Sequence, residues 1–301
     1  GTLRFFRSDD LVVANDITGD GRLQKYGAGT LTLSGQNSYT NATEVFEGTL
    51  SVAAITDDNT GQLGPSIPGF PDKNYLELYG GTRLQLTGPG TSRTERTVWV
   101  DNTGAATIEV SQATGVLIFE GRMRGAATQN VRLTGPGTVV FGGSGDNDSF
   151  NITISGGTTV LAKAVGGAVR ALAHANTNLN AVILLEGAGD DQIYAQANLH
   201  MENGVLDLNG KAEGWNNLTG SGWITNRSAS PAEFTLGQNN GNATNWVNII
   251  EGDGPISFRK AGTGVVTLSG TNSFSGGTVV TGGTLVVGSP WALGGTNALQ
   301  T

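Results

Sequence analysis

Residues 25–52 read KYGAGTLTLSGQNSYTNATEVFEGTLSV, and residues 260–287 read KAGTGVVTLSGTNSFSGGTVVTGGTLVV. Lys25 aligns with Lys260, Leu33 with Leu268, Asn37 with Asn272, Tyr39 with Phe274 and Gly48 with Gly283, each pair 235 positions apart. The 28-residue block therefore recurs without insertion or deletion. A repeat of this kind is one unit that buries its apolar face only against its neighbours, so repetition sets the fold class before single residues are weighed.

Outward from these blocks the repetition weakens but continues. Val131–Leu161 is a third, looser copy, with Gly137-Thr138-Val139 standing for Gly29-Thr30-Leu31 and Phe150 for Tyr39. Leu84-Gln85-Leu86-Thr87-Gly88 recurs as Leu206-Asp207-Leu208-Asn209-Gly210, an offset of 122. The periodicity divides the chain into super-units of about 1–130 and 131–254 and an incomplete one at 255–301, as in a piece of a longer repeat protein.

The composition fits short strands and tight turns. There are 48 Gly, 8 Pro, 14% charged residues and 7% aromatics. Apolar residues fall in brief β-branched runs, such as Thr97-Val98-Trp99-Val100 and Val116-Leu117-Ile118-Phe119, most of them bounded by Gly, Asn, Asp or Ser. The connections are too short for crossover helices, which leaves an antiparallel sandwich or barrel, or a parallel solenoid. Register-true repetition selects the solenoid, and the expected fold is a right-handed parallel β-helix. At roughly 21 residues per rung it makes about 14 rungs and a rod on the order of 65–70 Å long. Val165–Ala175 and Pro290–Leu293 are expected as short helical decorations, each following a Gly-Thr strand. In the alternating pattern Leu31, Leu33, Val266 and Leu268 point inward, while Thr30, Thr32 and Thr267 point outward.

The chain has no cysteine, and a solenoid whose rungs hydrogen-bond to each other needs no disulfides. A formal net charge of −8 argues against nucleic acid or an anionic membrane as partner. No run of 18 apolar residues is present.

The phrases GTLTLSGQNSYTNATEVFEGTLSV and GVVTLSGTNSFSGGTVVTGGTLVV, with GVLDLNGKAEGWNNLTGSGWITN and FTLGQNNG between them, resemble the autotransporter-associated β-strand repeat of bacterial passenger regions. The likeness is specific at Leu23–Val52 and Ile256–Val287, moderate at Met201–Asn240 and weak at Ala53–Gln129. It implies a secreted, elongated β-helix on a bacterial surface, with anchoring through an outer-membrane barrel beyond this segment. The family defines no catalytic residues, so the resemblance supplies none.

Chemistry is sparse. His174 and His200 have no metal-ligand spacing and read as surface histidines, and no G-x-S-x-G element supplies a nucleophile. Glu186–Tyr194 (EGAGDDQIY) approaches the calcium-binding nonapeptide, which makes Asp190 and Asp191 the candidate Ca²⁺ ligands against the alternative of a polar turn. The acid pairs Asp9/Asp10, Asp57/Asp58, Asp146/Asp148 and Glu251/Asp253 raise the alternative of a glycan-active β-helical enzyme, which needs two facing carboxyls at a defined separation. Trp215 and Trp223 flank NNLTGSG, where an exposed pair would stack on sugar rings; packing beneath loops is the competing reading. The leading expectation is a non-enzymatic adhesin or stalk. Its partner would be a host or neighbouring-cell glycan or protein, or further copies of the chain, since register-matched ends favour end-to-end stacking.

Overall fold

The computed structural model describes residues 1–66, 73–101, 104–126, 129–148, 151–164, 169–172, 176–188, 192–245, 248–249, 252–294 and 299–300. In the strand Thr30–Leu33, Leu31 and Leu33 are buried and the two threonines half-buried. Val265–Leu268 repeats the pattern, with Val266 and Leu268 inside and Thr267 turned outward. The expected facing of both blocks is what the structure shows. A Thr-Leu-Thr-Leu strand suits this position because β-branched residues tolerate the extended backbone while the leucines leave water, at about 25 cal/mol per Å² of apolar surface.

Each strand pairs with the equivalent strand one coil away, and the described pairings are parallel. Leu11 lies beside Leu31, Leu31 beside Leu50, Leu50 beside Leu84, Leu84 beside Ile108, Ile108 beside Leu133 and Leu133 beside Ile154. The result is a column of aliphatic side chains running through successive coils.

The chain divides into two compact units, Gly1–Thr158 and Thr159–Thr301. In the first, one sheet takes Thr2–Phe6, Arg22–Tyr26, Thr43–Val45, Leu76–Tyr79, Val98–Asp101 and Met123–Arg124 in that order. The second sheet carries the Leu11–Ile154 column, and a third stacks Gly90–Thr94, Gly115–Phe119 and Thr138–Phe141. The second unit is built likewise, for example from Ala212–Trp215, Ala232–Leu236, Ile256–Lys260, Thr278–Val280 and Leu299–Gln300.

The fold is an all-β parallel solenoid. Its thirty-two described strands make about 11 turns rather than the 14 expected. Coil length is the reason. The step is 19 residues from Leu31 to Leu50 but 34 from Leu50 to Leu84 and 25 from Ile108 to Leu133. The longest step carries extra chain after Val52, held by Arg96. This arginine is 1% exposed, and its guanidinium donates to the carbonyls of Thr56 (3.2 Å), Leu63 (3.3 Å) and Gly64, with Asp57 at 3.4 Å.

The helical decorations are the other departure. Pro290–Leu293 is a turn, closed by Ala292 N–H donating to the Ser289 carbonyl at 3.2 Å and Gly294 N–H to that of Trp291 at 3.3 Å. One turn fixes too many dihedrals for too few hydrogen bonds to propagate as a helix. Val165–Ala175 lies mostly outside the described residues, and no helix occurs among those described.

The repeated letters of the two blocks do repeated work. Asn37 accepts from Ile17 N–H (2.8 Å) and donates to the Gln62 carbonyl (2.5 Å), which ties its coil to both neighbours. Asn272 accepts from Ile249 N–H (2.9 Å) and donates to the Ala292 carbonyl (2.6 Å). In the looser copy Asn147 takes the acceptor role, receiving Met123 N–H at 2.9 Å. Lys25 extends its ammonium to the carbonyls of Tyr26 (3.1 Å), Gly27 (2.5 Å) and Glu47 (3.2 Å). Lys260 does the same with Ala261, Gly262 (3.1 Å) and Gly282 (3.1 Å). Burial lowers the pKa of both lysines. Gly48 has φ +71°, and an added Cβ would stand 2.5 Å from the Gly27 carbonyl oxygen, so only glycine fits.

Candidate functional site

On the six-stranded sheet of the first unit, two neighbouring strands alternate buried and outward side chains. In Leu76–Tyr79 the leucines are buried while Glu77 and Tyr79 are half-buried; in Val98–Asp101 the valines are buried and Trp99 and Asp101 face out. Parallel in-register pairing aligns these outward positions from coil to coil. One row runs Arg4, Gln24, Glu44, Glu77, Trp99, Arg124. Beside it runs an aromatic column. Phe6 and Tyr26 have ring centroids 5.9 Å apart, Tyr26 and Phe46 4.5 Å, and Phe46 and Tyr79 4.3 Å. Offset stacking at these distances adds to the stability of the sheet beyond area burial.

The charged row is organised around a buried acid. Glu44 is 4% exposed and accepts from Arg22 (3.0 Å), Gln24 (2.6 Å) and the Tyr75 hydroxyl (2.9 Å). Burial, then the hydrogen bond and charge of Glu44, push the Tyr75 hydroxyl up to about 12. Burial raises the carboxyl of Glu77 above its ordinary range, and the charges of Glu44 and Asp101 raise it further. Burial and the charges of Glu77 and Asp101 push Tyr79 to about 12. Arg124 lies over the Trp99 ring at 4.3 Å. Tyr75, Glu77, Trp99 and Asp101 together line an open recess of ≈ 430 Å³. A neighbouring recess of ≈ 330 Å³ shares Glu77, Trp99 and Asp101. Aromatic walls with carboxylate acceptors can hold a ring-shaped polar ligand through stacking on one side and hydrogen bonds on the other.

The residues singled out from sequence lie elsewhere. Trp215 is fully buried at 0% exposure, with its ring 6.1 Å from Phe234, whose own ring is 4.9 Å from Phe258. It cannot offer a face to a sugar, so the exposed Trp215/Trp223 pair is corrected to Trp223 alone, which is 37% exposed. The reason is local. Ala212–Trp215 has three consecutive buried residues, so simple alternation fails at this strand. Asp190 and Asp191 lie outside the described residues, as does His174. His200 is exposed, with Nδ1 2.9 Å from the Thr219 hydroxyl. No group of three or more His, Cys, Asp or Glu suited to a metal occurs among the described residues.

Several of the paired acids serve as ties. Asp10 accepts from Thr30 N–H (2.7 Å), Asp57 from Glu95 N–H (2.6 Å), and Asp148 faces Arg122 at 3.3 Å. Tyr75, Glu77 and Asp101 were not singled out from the sequence. The signal was the Tyr-Leu-Glu and Trp-Val-Asp alternation of residues 75–77 and 99–101, legible only once the two strands are known to be adjacent.

Comparison with known proteins agrees with this architecture. The model of the passenger-associated-transport-repeat matches residues 23–52 and 258–287, the two blocks with the lysine and asparagine ties. Over 261 residues the chain is 31% identical to a protein named Adhesin BmaC autotransporter, from Brucella suis biovar 1 (strain 1330). The match takes in 83% of this chain and 6% of that protein's length. No solved structure matches. Among the described residues no helix is long and apolar enough to cross a membrane. The chain is thus a passenger-repeat protein of the autotransporter type, with both matched repeats folded as coils of a parallel solenoid.

Proposed function

We propose that this chain is a secreted or surface-displayed, non-enzymatic adhesive segment, held at a bacterial outer membrane through a region beyond it. Its similarity to an autotransporter adhesin over most of its length supports the reading. The observation that carries it furthest is the outward face of the first unit, where two adjacent recesses combine aromatic walls and carboxylates on a rigid sheet. Such a face suits contacts to a glycan or protein on a host or neighbouring cell, multiplied along a repetitive molecule. The solenoid is read as right-handed, the hand of about 98% of parallel crossover connections. Copies of the chain form a second partner class, on the exposed Val287 and Trp291 side chains, which are 50% and 60% accessible. That part is tested by light scattering over a concentration series, where a constant particle mass would remove it.

The adhesive reading is tested on arrays of glycans and matrix proteins. The chain should bind at least one class of spot, and a Trp99→Ala variant should lose most of that signal. Absence of binding to every spot would reduce the segment to a spacer.

A further inference from the structure

Three Asn-Gly pairs occur in the chain, at 203–204, 209–210 and 240–241. Among the described residues their asparagines are also the non-glycine positions with positive φ: Asn203 at 61°, Asn209 at 48° and Asn240 at 60°. Asparagine tolerates this left-handed backbone better than most side chains, and Asn-Gly is a pair that tight turns select. The same pair is chemically vulnerable. Glycine has no Cβ, so its amide nitrogen lies open to the preceding side chain, and the two can close into a succinimide ring.

Two of the three pairs are held shut. Asn209 donates through Nδ2 to the Leu185 carbonyl at 2.8 Å, and Gly210 N–H donates to Asn226 Oδ1 at 2.8 Å. Asn240 Oδ1 accepts from Thr263 N–H at 2.9 Å, and Gly241 N–H donates to Asn216 Oδ1 at 3.0 Å. In both, the side-chain amide and the glycine nitrogen are each tied to a neighbouring coil. Asn203 differs. It is exposed, in the corner between the strands Asn198–Met201 and Val205–Asp207. Glu202 N–H donates to Asn180 Oδ1 at 3.2 Å and the Gly204 carbonyl accepts from Trp223 N–H at 2.8 Å, which pins the corner on either side. Between those points, neither the Asn203 side chain nor the Gly204 N–H has a hydrogen-bond partner among the described residues. Exposure alone does not separate the sites, because Asn240 is exposed as well. The hydrogen bonds do.

From this contrast we infer that Asn203 is a site of spontaneous deamidation in the folded protein, and that the fold protects Asn209 and Asn240. The Gly204 nitrogen attacks Asn203 Cγ and forms the new N–Cγ bond. The bond from Cγ to Nδ2 breaks, and that nitrogen leaves as ammonia with the proton given up by Gly204. Water then opens the succinimide at either carbonyl, giving aspartate or isoaspartate. The product adds one negative charge to a chain of net −8, and in the isoaspartate form one methylene to the backbone of the corner. Rotation that brings the nitrogen to Cγ is free of these ties at 203–204, whereas at the other pairs it must first open two hydrogen bonds. Conversion at 209 would also set a carboxylate against the Leu185 carbonyl, which now accepts a hydrogen bond.

The experiment incubates the 301-residue chain at mildly alkaline pH, folded and in urea, and follows the three Asn-Gly peptides by mass spectrometry. In the folded chain Asn203 should convert at least about tenfold faster than Asn209 and Asn240, the factor set by opening their hydrogen bonds. In urea the three rates should come together, since each pair is then flexible. Isoelectric focusing of an Asn203→Gln variant gives a second readout. Glutamine would have to close a larger ring and does so more slowly, so the first acidic species of the parent chain should be missing. Circular dichroism shows whether the variant retains the β-fold.

Equal rates at the three pairs of the folded chain, faster conversion there at 209 or 240, or a gap that persists unchanged in urea would each overturn the inference. So would an acidic species that forms at the parent rate in Asn203→Gln, or an Asn203 that stays intact in the folded chain while it converts in urea.

Discussion

At position 274 the second repeat has lost one oxygen atom, and the loss is visible in its surroundings. In the first repeat the Tyr39 hydroxyl, buried at 1% exposure, bonds the Thr43 hydroxyl at 2.7 Å. Phe274 occupies the equivalent place, and Thr278, the counterpart of Thr43, has a buried Oγ1 with no hydrogen-bond partner. A buried polar group left unpaired costs about 1–3 kcal/mol. Phe274→Tyr should restore the missing partner and stabilise the second unit by about 1 kcal/mol. Tyr39→Phe should destabilise the first unit by a similar amount. Urea midpoints of the two variants check this; a destabilising Phe274→Tyr would mean that the second pocket lacks room for the hydroxyl. Asn37 and Asn272 each join three coils through one amide. Asn272→Ala should therefore cost about 2–4 kcal/mol, two buried hydrogen bonds with their backbone partners left unmet. A loss below the denaturation error would show that water replaces the amide.

At the scale of the element, one sheet holds like charges in adjacent coils. Glu77 is flanked in register by Glu44, with Asp101 nearby on the next strand. Burial first, then those two acids, raise its carboxyl from 4.5, while a hydrogen bond from Tyr79 and the charge of Arg22 pull the other way. A folded-state value above the unfolded one means that folding favours the protonated form. This contribution to stability is complete below about pH 4.5 and is lost as pH rises through the raised folded value. Glu77→Gln, a neutral mimic, should therefore be more stable than the parent chain at pH 7, with the gap closing as pH falls below 4.5. Denaturant midpoints for both proteins from pH 4 to 8, about one unit apart, test the sign. A parent chain more stable than the variant at pH 7 would refute it. The same register that creates this repulsion also builds the aromatic column from Phe6 to Tyr79, because in a parallel stack like positions meet like positions.

For the whole molecule, order comes from backbone pairing between coils and from buried aliphatic columns, with no cysteine in the chain. A Ca²⁺ site at Asp190 and Asp191 is an expectation from the sequence, on residues outside those described. Excess EDTA should leave the melting temperature unchanged to within about 2 °C, less than a 1 kcal/mol loss would cause. A larger fall, reversed by calcium but not by magnesium, would instead assign a structural ion to those aspartates. Far-ultraviolet dichroism should be dominated by strand, in keeping with the absence of helix among the described residues.

The amino-acid sequence by itself determined the solenoid, its parallel character and the facing of Leu31, Leu33, Val266 and Leu268. Repetition is a local property, and a period-two pattern within a strand needs no partner to be read. It also marked Lys25, Asn37, Gly48 and their counterparts as equivalent, although not what each one holds. The number of turns, the inward place of Trp215 and the recess of Tyr75, Glu77, Trp99 and Asp101 were decided by tertiary structure. Coil length varies from 18 to 34 residues between successive partners, so adjacency cannot be counted from a fixed period. Consecutive buried residues at Thr43–Val45 and at 213–215 break the alternation that would otherwise show which side chains face out. Glu77 and Trp99 meet only because one coil between them closes at 22 residues, a length set by the turns and not by either strand.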